Sequence, residues 1–238
     1  IEYPVLGGCM QWITGPEFTA AVSNAGALGI MSSAMFPTQE EFRAALRRLK
    51  GLTDRSFAVN LNLFPALRPI DNRLYAEVIL EEGGVAAVET SGHRPPEDIV
   101  AMLKGGGLKL MHKCVNVRHA LSAQKAGVDA VTLFGYEGGG HIGDVSTLSL
   151  VPRAVDVLDV PVIAVGRFTD LSVADAVIGR KDADLVSFGR QFLADPDFLV
   201  KARDGRFEDI RTCIACNQGC IERLMFEGKT VRCAINPE

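Results

Sequence analysis

The stretch Ala126-Gly127-Val128-Asp129-Ala130-Val131-Thr132-Leu133-Phe134-Gly135 decides the reading of the fold. An amphipathic segment ends at Ala126-Gly127, a short apolar run follows at once, and that run exits into the glycine-rich segment from Gly135 to Gly143. Glycine suits the first junction because a residue closing a helix often needs a left-handed backbone. A continuous apolar run, rather than an alternating one, is expected of a parallel strand covered on both faces.

The same unit recurs along the chain. Asn24-Ala25-Gly26 leads into Ala27 to Met31, Glu82-Gly83-Gly84 into Val85 to Val88, and Lys181-Asp182 into Ala183 to Val186. Counting such runs predicts strands near 4–9, 27–32, 57–63, 85–90, 108–113, 128–134, 161–165 and 183–188. Helices are predicted at 16–25, 38–50, 71–82, 96–104, 117–126, 147–158, 170–179 and 195–204. Eight such units without a large insertion favour a closed (β/α)₈ TIM barrel, for which 238 residues and 47% hydrophobic content suffice. The barrel is assigned to residues 1–205, and residues 206–238 form a short cysteine-rich extension.

The formal charge of −4 arises from 29 acidic and 25 basic residues without a run of Lys or Arg, which argues against nucleic acid as a partner. No apolar stretch approaches the roughly 18 residues that span a bilayer, and the start of the chain has neither a basic leader nor a cleavage pattern. A cytoplasmic protein without membrane contact is the expectation. The chain opens at Ile1 and stops at Glu238 directly after Asn236-Pro237, which suggests an excised or recombined piece.

In a barrel of this kind the loops after the strands carry function. The exits read Gly7-Gly8-Cys9-Met10-Gln11, Asn60-Leu61-Asn62, Glu89-Thr90-Ser91-Gly92-His93, Lys113-Cys114, Gly135 to Gly143, Gly166-Arg167 and Gly189-Arg190-Gln191. Glycines there let main-chain N–H groups approach a flat or anionic ligand. The two late exits each supply a Gly-Arg pair, so Arg167 and Arg190 are read as a phosphate clamp; pairing with surface carboxylates is the alternative. Lys113 would project into the barrel mouth, where a buried cation needs an anionic or electron-rich partner such as a flavin ring or a phosphate; a snorkelling side chain with a solvated head is the alternative. His141 stands among Gly138, Gly139, Gly140 and Gly143 as the one titratable side chain that loop offers, suited to proton transfer near neutrality or simply solvated. His93 has a weaker case, His112 reads as a core residue or flavin support, and His119 falls on a helix. Cys9 and Cys114, alone in apolar runs, read as small core residues.

Residues 3–160 resemble the class I nitronate monooxygenase (2-nitropropane dioxygenase) family, through Gly7 to Gln11, Ala21 to Gly29, Lys113 to Ala120 and Gly138 to His141. The resemblance implies FMN, held by Gly8, Cys9, Met10, Asn60, Lys113 and the loop glycines Gly138, Gly139 and Gly140, with His141 facing the substrate. From Pro161 onward the chain looks like the old yellow enzyme family, in its 2,4-dienoyl-CoA reductase branch, through Ala164 to Asp170 and Phe188 to Pro196. The Gly-Gly and Gly-Thr-Arg of the nitronate family after the seventh and eighth strands are absent, and the reductase branch's catalytic tyrosine has no counterpart here. A chimera joined near residue 160 is therefore expected, with FMN bound on the same barrel face in both halves.

Cys213, Cys216 and Cys220 are closely spaced and Cys233 returns twelve residues later, a set able to hold a 4Fe-4S cluster or, as the alternative, zinc. The segment resembles the cluster region of the reductase branch, which implies an electron-donor protein or domain as partner. The leading expectation is an FMN-dependent oxidoreductase acting on a small molecule, most like a nitronate monooxygenase oxidising alkyl nitronates. The alternatives are an ene or enoyl reductase with a 4Fe-4S cluster and an engineered flavin-binding barrel without natural turnover.

Overall fold

The computed structural model describes residues 1–63, 71–92, 94–138 and 142–236. Its parallel strands β1 (Val5–Gly7), β2 (Leu28–Ser32), β3 (Phe57–Asn62), β4 (Ala87–Ser91), β5 (Lys109–Cys114), β6 (Ala130–Phe134), β7 (Val162–Val165) and β8 (Leu185–Phe188) pair in chain order. Pairing of Val5, Leu6 and Gly7 with Val186, Ser187 and Phe188 closes the barrel. Helices α1 (Pro16–Asn24), α2 (Gln39–Leu52), α3 (Asn72–Glu82), α4 (Glu97–Gly105), α5 (Val117–Lys125), α6 (Thr147–Val155) and α7 (Leu171–Gly179) fill the crossovers. The junction at Ala126-Gly127 has the expected form: Gly127 has φ 89°, and Gly26 and Gly83 repeat it at 97° and 61°.

The helix expected at 195–204 is corrected to the shorter α9 (Phe198–Arg203), and a further helix, α8 (Arg190–Ala194), precedes it in the stretch expected as the β8 exit. Pro196 disfavours a helical backbone at Asp195, which takes φ −149° and ψ 99°. The freed Asp195 carboxylate, fully buried, accepts from Asp197 N at 3.1 Å, Arg211 N at 2.9 Å and Lys201 Nζ at 2.6 Å. The break is therefore built around a satisfied buried acid.

Both faces of the strands are apolar because they pack against different layers. Leu6, Leu28, Ile30, Ala58, Ala87, Met111 and Ile163 fill the barrel interior. The alternate residues Met31, Val59, Leu61, Val88, Leu110, Val131 and Leu133 meet the helices, where Phe42, Leu46, Leu49, Ile79 and Leu103 are buried. A third cluster, in which the Phe198 ring meets Phe192 edge-on at 4.7 Å and Phe188 tilted at 5.0 Å, seals the seam between β8, α8 and α9.

His112, read as core or flavin support, belongs to the core: it is fully buried, its Nδ1 is 2.7 Å from Thr90 Oγ1, and its Nε2 has no hydrogen-bond partner among the described residues. Burial pushes its pKa down to about 4 from the ordinary 6.5. The unfolded chain takes up a proton here between those values and the folded chain does not, so stability falls as pH drops through that window. The full shift corresponds to about 3 kcal/mol. Urea midpoints at neutral and mildly acidic pH should therefore diverge less in His112→Gln than in the unsubstituted protein; an equal loss in both would contradict a neutral buried imidazole.

Candidate active site

Toward the C-terminal ends of the strands the barrel interior changes from apolar to polar. Ser32, Asn60, Glu89, Lys113, Thr132 and Ser187 lie above the Leu6–Ile30–Met111 layer, and Asn60, Glu89, Thr132 and Ser187 are buried. Lys113 Nζ stands 3.0 Å from Glu89 Oε2. Burial acts to lower the lysine's pKa, and the Glu89 carboxylate, assisted by Cys9, outweighs it, so the pKa is raised and the ammonium is retained.

Above this layer opens a cavity of about 370 Å³. Of the expected cofactor-binding residues, Gly8, Cys9, Met10, Asn60, Lys113, Gly138, Arg167, Gly189 and Arg190 line it together. Among the described residues of that set Gly166 does not line it. A Cβ there would stand 2.6 Å from Thr147 Oγ1, so Gly166 lets β7 approach the start of α6. Cys9 lies beyond the end of β1, half-buried on the cavity wall, with its thiol pKa pushed up by burial. Cys114 is the buried core residue expected, its thiol raised by burial to about 12.

The two arginines of the expected clamp differ. Arg167 is exposed on the cavity wall in a left-handed conformation, φ 50°, without a carboxylate partner among the described residues. Arg190 donates from Nη1 to Asn217 Oδ1 at 2.5 Å and from Nη2 to the Glu137 carbonyl at 2.7 Å. It ties the β8 exit to the β6 exit and to the cysteine segment, a role the sequence did not disclose.

Glu137 anchors the loop that carries His141. Its carboxylate accepts from Ser146 Oγ, from Thr147 N at 2.9 Å and from Thr147 Oγ1 at 2.8 Å, bonds that outweigh partial burial and lower its pKa. The Gly135 carbonyl accepts from Gly138 N at 3.4 Å and Gly143 N at 3.5 Å, closing the loop at its base. His93, Gly139, Gly140 and His141 lie outside the described residues.

Cys213, Cys216, Cys220 and Cys233 line one small cavity together with Arg190 and Asn217. Ala215 and Asn217 take left-handed φ of 55° and 62°, and Ala215 N donates to Cys213 Sγ at 3.4 Å. A Cβ on Gly219 would stand 2.5 Å from the Arg232 carbonyl, so glycine there lets the segment bearing Cys233 close over the turn. Cys213, Ala215 and Cys220 also line the larger cavity, which gives the two spaces a common wall. Among the described residues no group of three or more His, Cys, Asp or Glu is arranged to hold a single metal ion. A zinc would need its thiolates gathered at about 2.3 Å from one point.

Gln191, fully buried, holds this segment on the barrel: its Nε2 donates to the Arg211 carbonyl and its Oε1 accepts from Cys213 N, both at 2.9 Å. Gln191→Ala removes this partner from both backbone groups, at a cost of up to about 1–3 kcal/mol each where they stay buried. Hydrogen exchange should accelerate at least about tenfold for the amides of 211–216 and stay unchanged in β3–β6. Unchanged exchange in 211–216 would contradict this anchoring.

The family model for nitronate monooxygenase matches residues 1–202. The match runs past Pro161, so the expected change to the old yellow enzyme family at that point is not supported, and neither is a chimera. A (3aS,4S,5R,7aS)-5-hydroxy-7a-methyl-1-oxo-octahydro-1H-indene-4-carboxyl-CoA dehydrogenase of Rhodococcus jostii is 34% identical over 200 residues, covering 84% of this chain and 54% of that protein. A probable nitronate monooxygenase of Staphylococcus aureus is 31% identical over 239 residues, covering 83% of this chain and 66% of that protein. The solved structure of FabK from Thermotoga maritima superposes with a TM-score of 0.73 at 33% identity, covering 84% of this chain and 64% of that one. The chain thus spans between about half and two thirds of the length of these relatives. With a closed barrel, a polar-floored cavity at its strand exits and a family match over most of its length, the chain belongs to the nitronate monooxygenase family.

Proposed function

We propose that this chain is an FMN-dependent oxidoreductase that oxidises small anionic substrates of the alkyl nitronate kind. The observation that carries the proposal is the cavity at the strand exits, whose wall brings three cationic side chains, Lys113, Arg167 and Arg190, together with Gly8, Gly138 and Gly189. A flat ring bearing a phosphate matches that composition: little side-chain bulk on the wall, a cation at the floor, and guanidinium groups at the β7 and β8 exits.

In this reading Gly8, Cys9, Met10, Asn60, Lys113 and the loop glycines Gly138, Gly139 and Gly140 hold the ring, and Arg167, Gly189 and Arg190 hold the phosphate. Bound FMN supplies an electron acceptor beside the substrate. The chain's own part is to orient an anion through its cations, to exclude water above the polar layer, and to handle a proton at His141. Gly138, three residues before His141 in the sequence, lies on the cavity wall.

We also propose that Cys213, Cys216, Cys220 and Cys233 hold a 4Fe-4S cluster. Four cysteines line one small cavity, and three closely spaced thiols with a distant fourth suit a cluster better than zinc, which more often takes two separated pairs. The wall shared with the larger cavity favours a second reading, in which an electron-donor protein or domain feeds the flavin through the cluster and an activated alkene is reduced.

His141→Ala should retain FMN and lose alkyl nitronate turnover by about a hundredfold or more, as expected on removing a general acid–base group. Undiminished turnover would remove His141 from the chemistry, and turnover of alkenes alone would favour the second reading. Cys216→Ser should lower bound iron and sulfide while FMN stays in place; an unsubstituted protein purified without oxygen and lacking iron would contradict the cluster.

A further inference from the structure

We infer that Glu89 is a positioning residue: it fixes the Lys113 ammonium, charged, at the floor of the barrel-mouth cavity and aims it at the bound cofactor without touching the cofactor itself. The inference rests on the proposed FMN site. Lys113 lines the cavity, whereas Glu89 is 1% exposed and lies below its floor.

Donors from three strands hold the carboxylate. Asn60 Nδ2 on β3 donates to Oε2 at 2.7 Å, Lys113 Nζ on β5 stands 3.0 Å from the same oxygen, and Thr132 Oγ1 on β6 donates to Oε1 at 3.4 Å. A carboxylate at this depth persists only when paired and hydrogen-bonded, and each of these neighbours is a donor. A lysine side chain is a flexible four-carbon stem, so its head is located by what it contacts. Here the contact is rigid because Asn60 and Thr132 hold it from either side.

The arrangement also sets the charge that the cavity sees. A carboxylate alone at the floor would repel an anionic substrate and disfavour added electrons on the cofactor. With Lys113 between it and the cavity, the cavity wall presents a cation instead. The titratable groups facing Lys113 among the described residues are Glu89 from β4 and Cys9 from the β1 exit. Burial acts to lower the lysine's pKa, and without Glu89 nothing comparable opposes it. In the sequence Glu89 ends the apolar run Val85-Ala86-Ala87-Val88, an acid where the barrel interior needs a reason for one.

FMN titrations of the apo-protein across about pH 7 to 9 test the assignment, with Glu89→Gln, Lys113→Met and the double variant alongside the unsubstituted protein. The unsubstituted protein should bind with a Kd that stays flat over this range. Glu89→Gln should bind progressively more weakly, by about tenfold at the alkaline end, as Lys113 loses its proton. Lys113→Met should be weaker than the unsubstituted protein and flat, and the double variant should match Lys113→Met because Glu89 acts only through the lysine. A flat profile for Glu89→Gln, or additive losses in the double variant, would overturn the inference. Should Glu89→Gln fail to fold, the comparison of Lys113→Met with the double variant decides: equal Kd values are expected, and weaker binding by the double variant would overturn the inference. FMN binding in the unsubstituted protein with no effect of Glu89→Gln defeats this inference alone; no FMN binding in the unsubstituted protein defeats it together with the flavin reading.

Discussion

Closure of the sheet is the constraint from which the rest of the molecule follows. Once β8 pairs with β1, every inward side chain is cut off from solvent except through the mouth. Apolar residues therefore fill the lower layers, and any polar residue in the interior must find a partner inside or face the opening. Leu6, Ile30 and Met111 meet the first requirement, and Glu89 with Asn60, Lys113 and Thr132 meets the second. The point where the interior changes from the one kind to the other marks the floor of the site.

The fold was legible because both faces of each strand are buried. Runs such as Pro161 to Val165 are apolar without interruption, and Gly26, Gly83 and Gly127 mark where the helices before three of the strands end. The late start of α9 and the extra helix α8 before it were less legible, since the break between them depends on Asp195 finding Lys201 and the Arg211 amide, a contact between segments. Of the candidate site, the exits of β1, β3, β5, β7 and β8 were readable as polar breaks after apolar runs, and most of those residues do meet around one cavity. The packing of Gly166 against Thr147 was not legible, because a glycine required for helix approach and one required for ligand approach look identical in sequence. The duties of Arg190, Gln191 and Glu137 were hidden for a different reason: each acts through backbone carbonyls or amides of distant segments, which leave no residue-type signature. Glu89 did leave one, an acid at an inward strand position, and it is the signal that sequence reasoning could have used.

The cysteine segment is joined to the barrel by side chains of the short helix that follows β8. Gln191 meets Arg211 and Cys213, Asp195 meets Arg211, and Asn236 Nδ2 donates to the Leu193 carbonyl at 3.1 Å. Arg190, on the same helix, reaches both the cysteine loop and the β6 exit. The element that would hold the cofactor phosphate is thus also the one that anchors the cysteine segment.

The most direct test of the account is the absorbance spectrum of the protein as purified, with the chromophore released by acid and identified. One FMN per chain is the result that the polar-floored cavity predicts. A colourless protein that takes up no FMN when it is supplied would contradict the account at its centre, whatever substrate is later found.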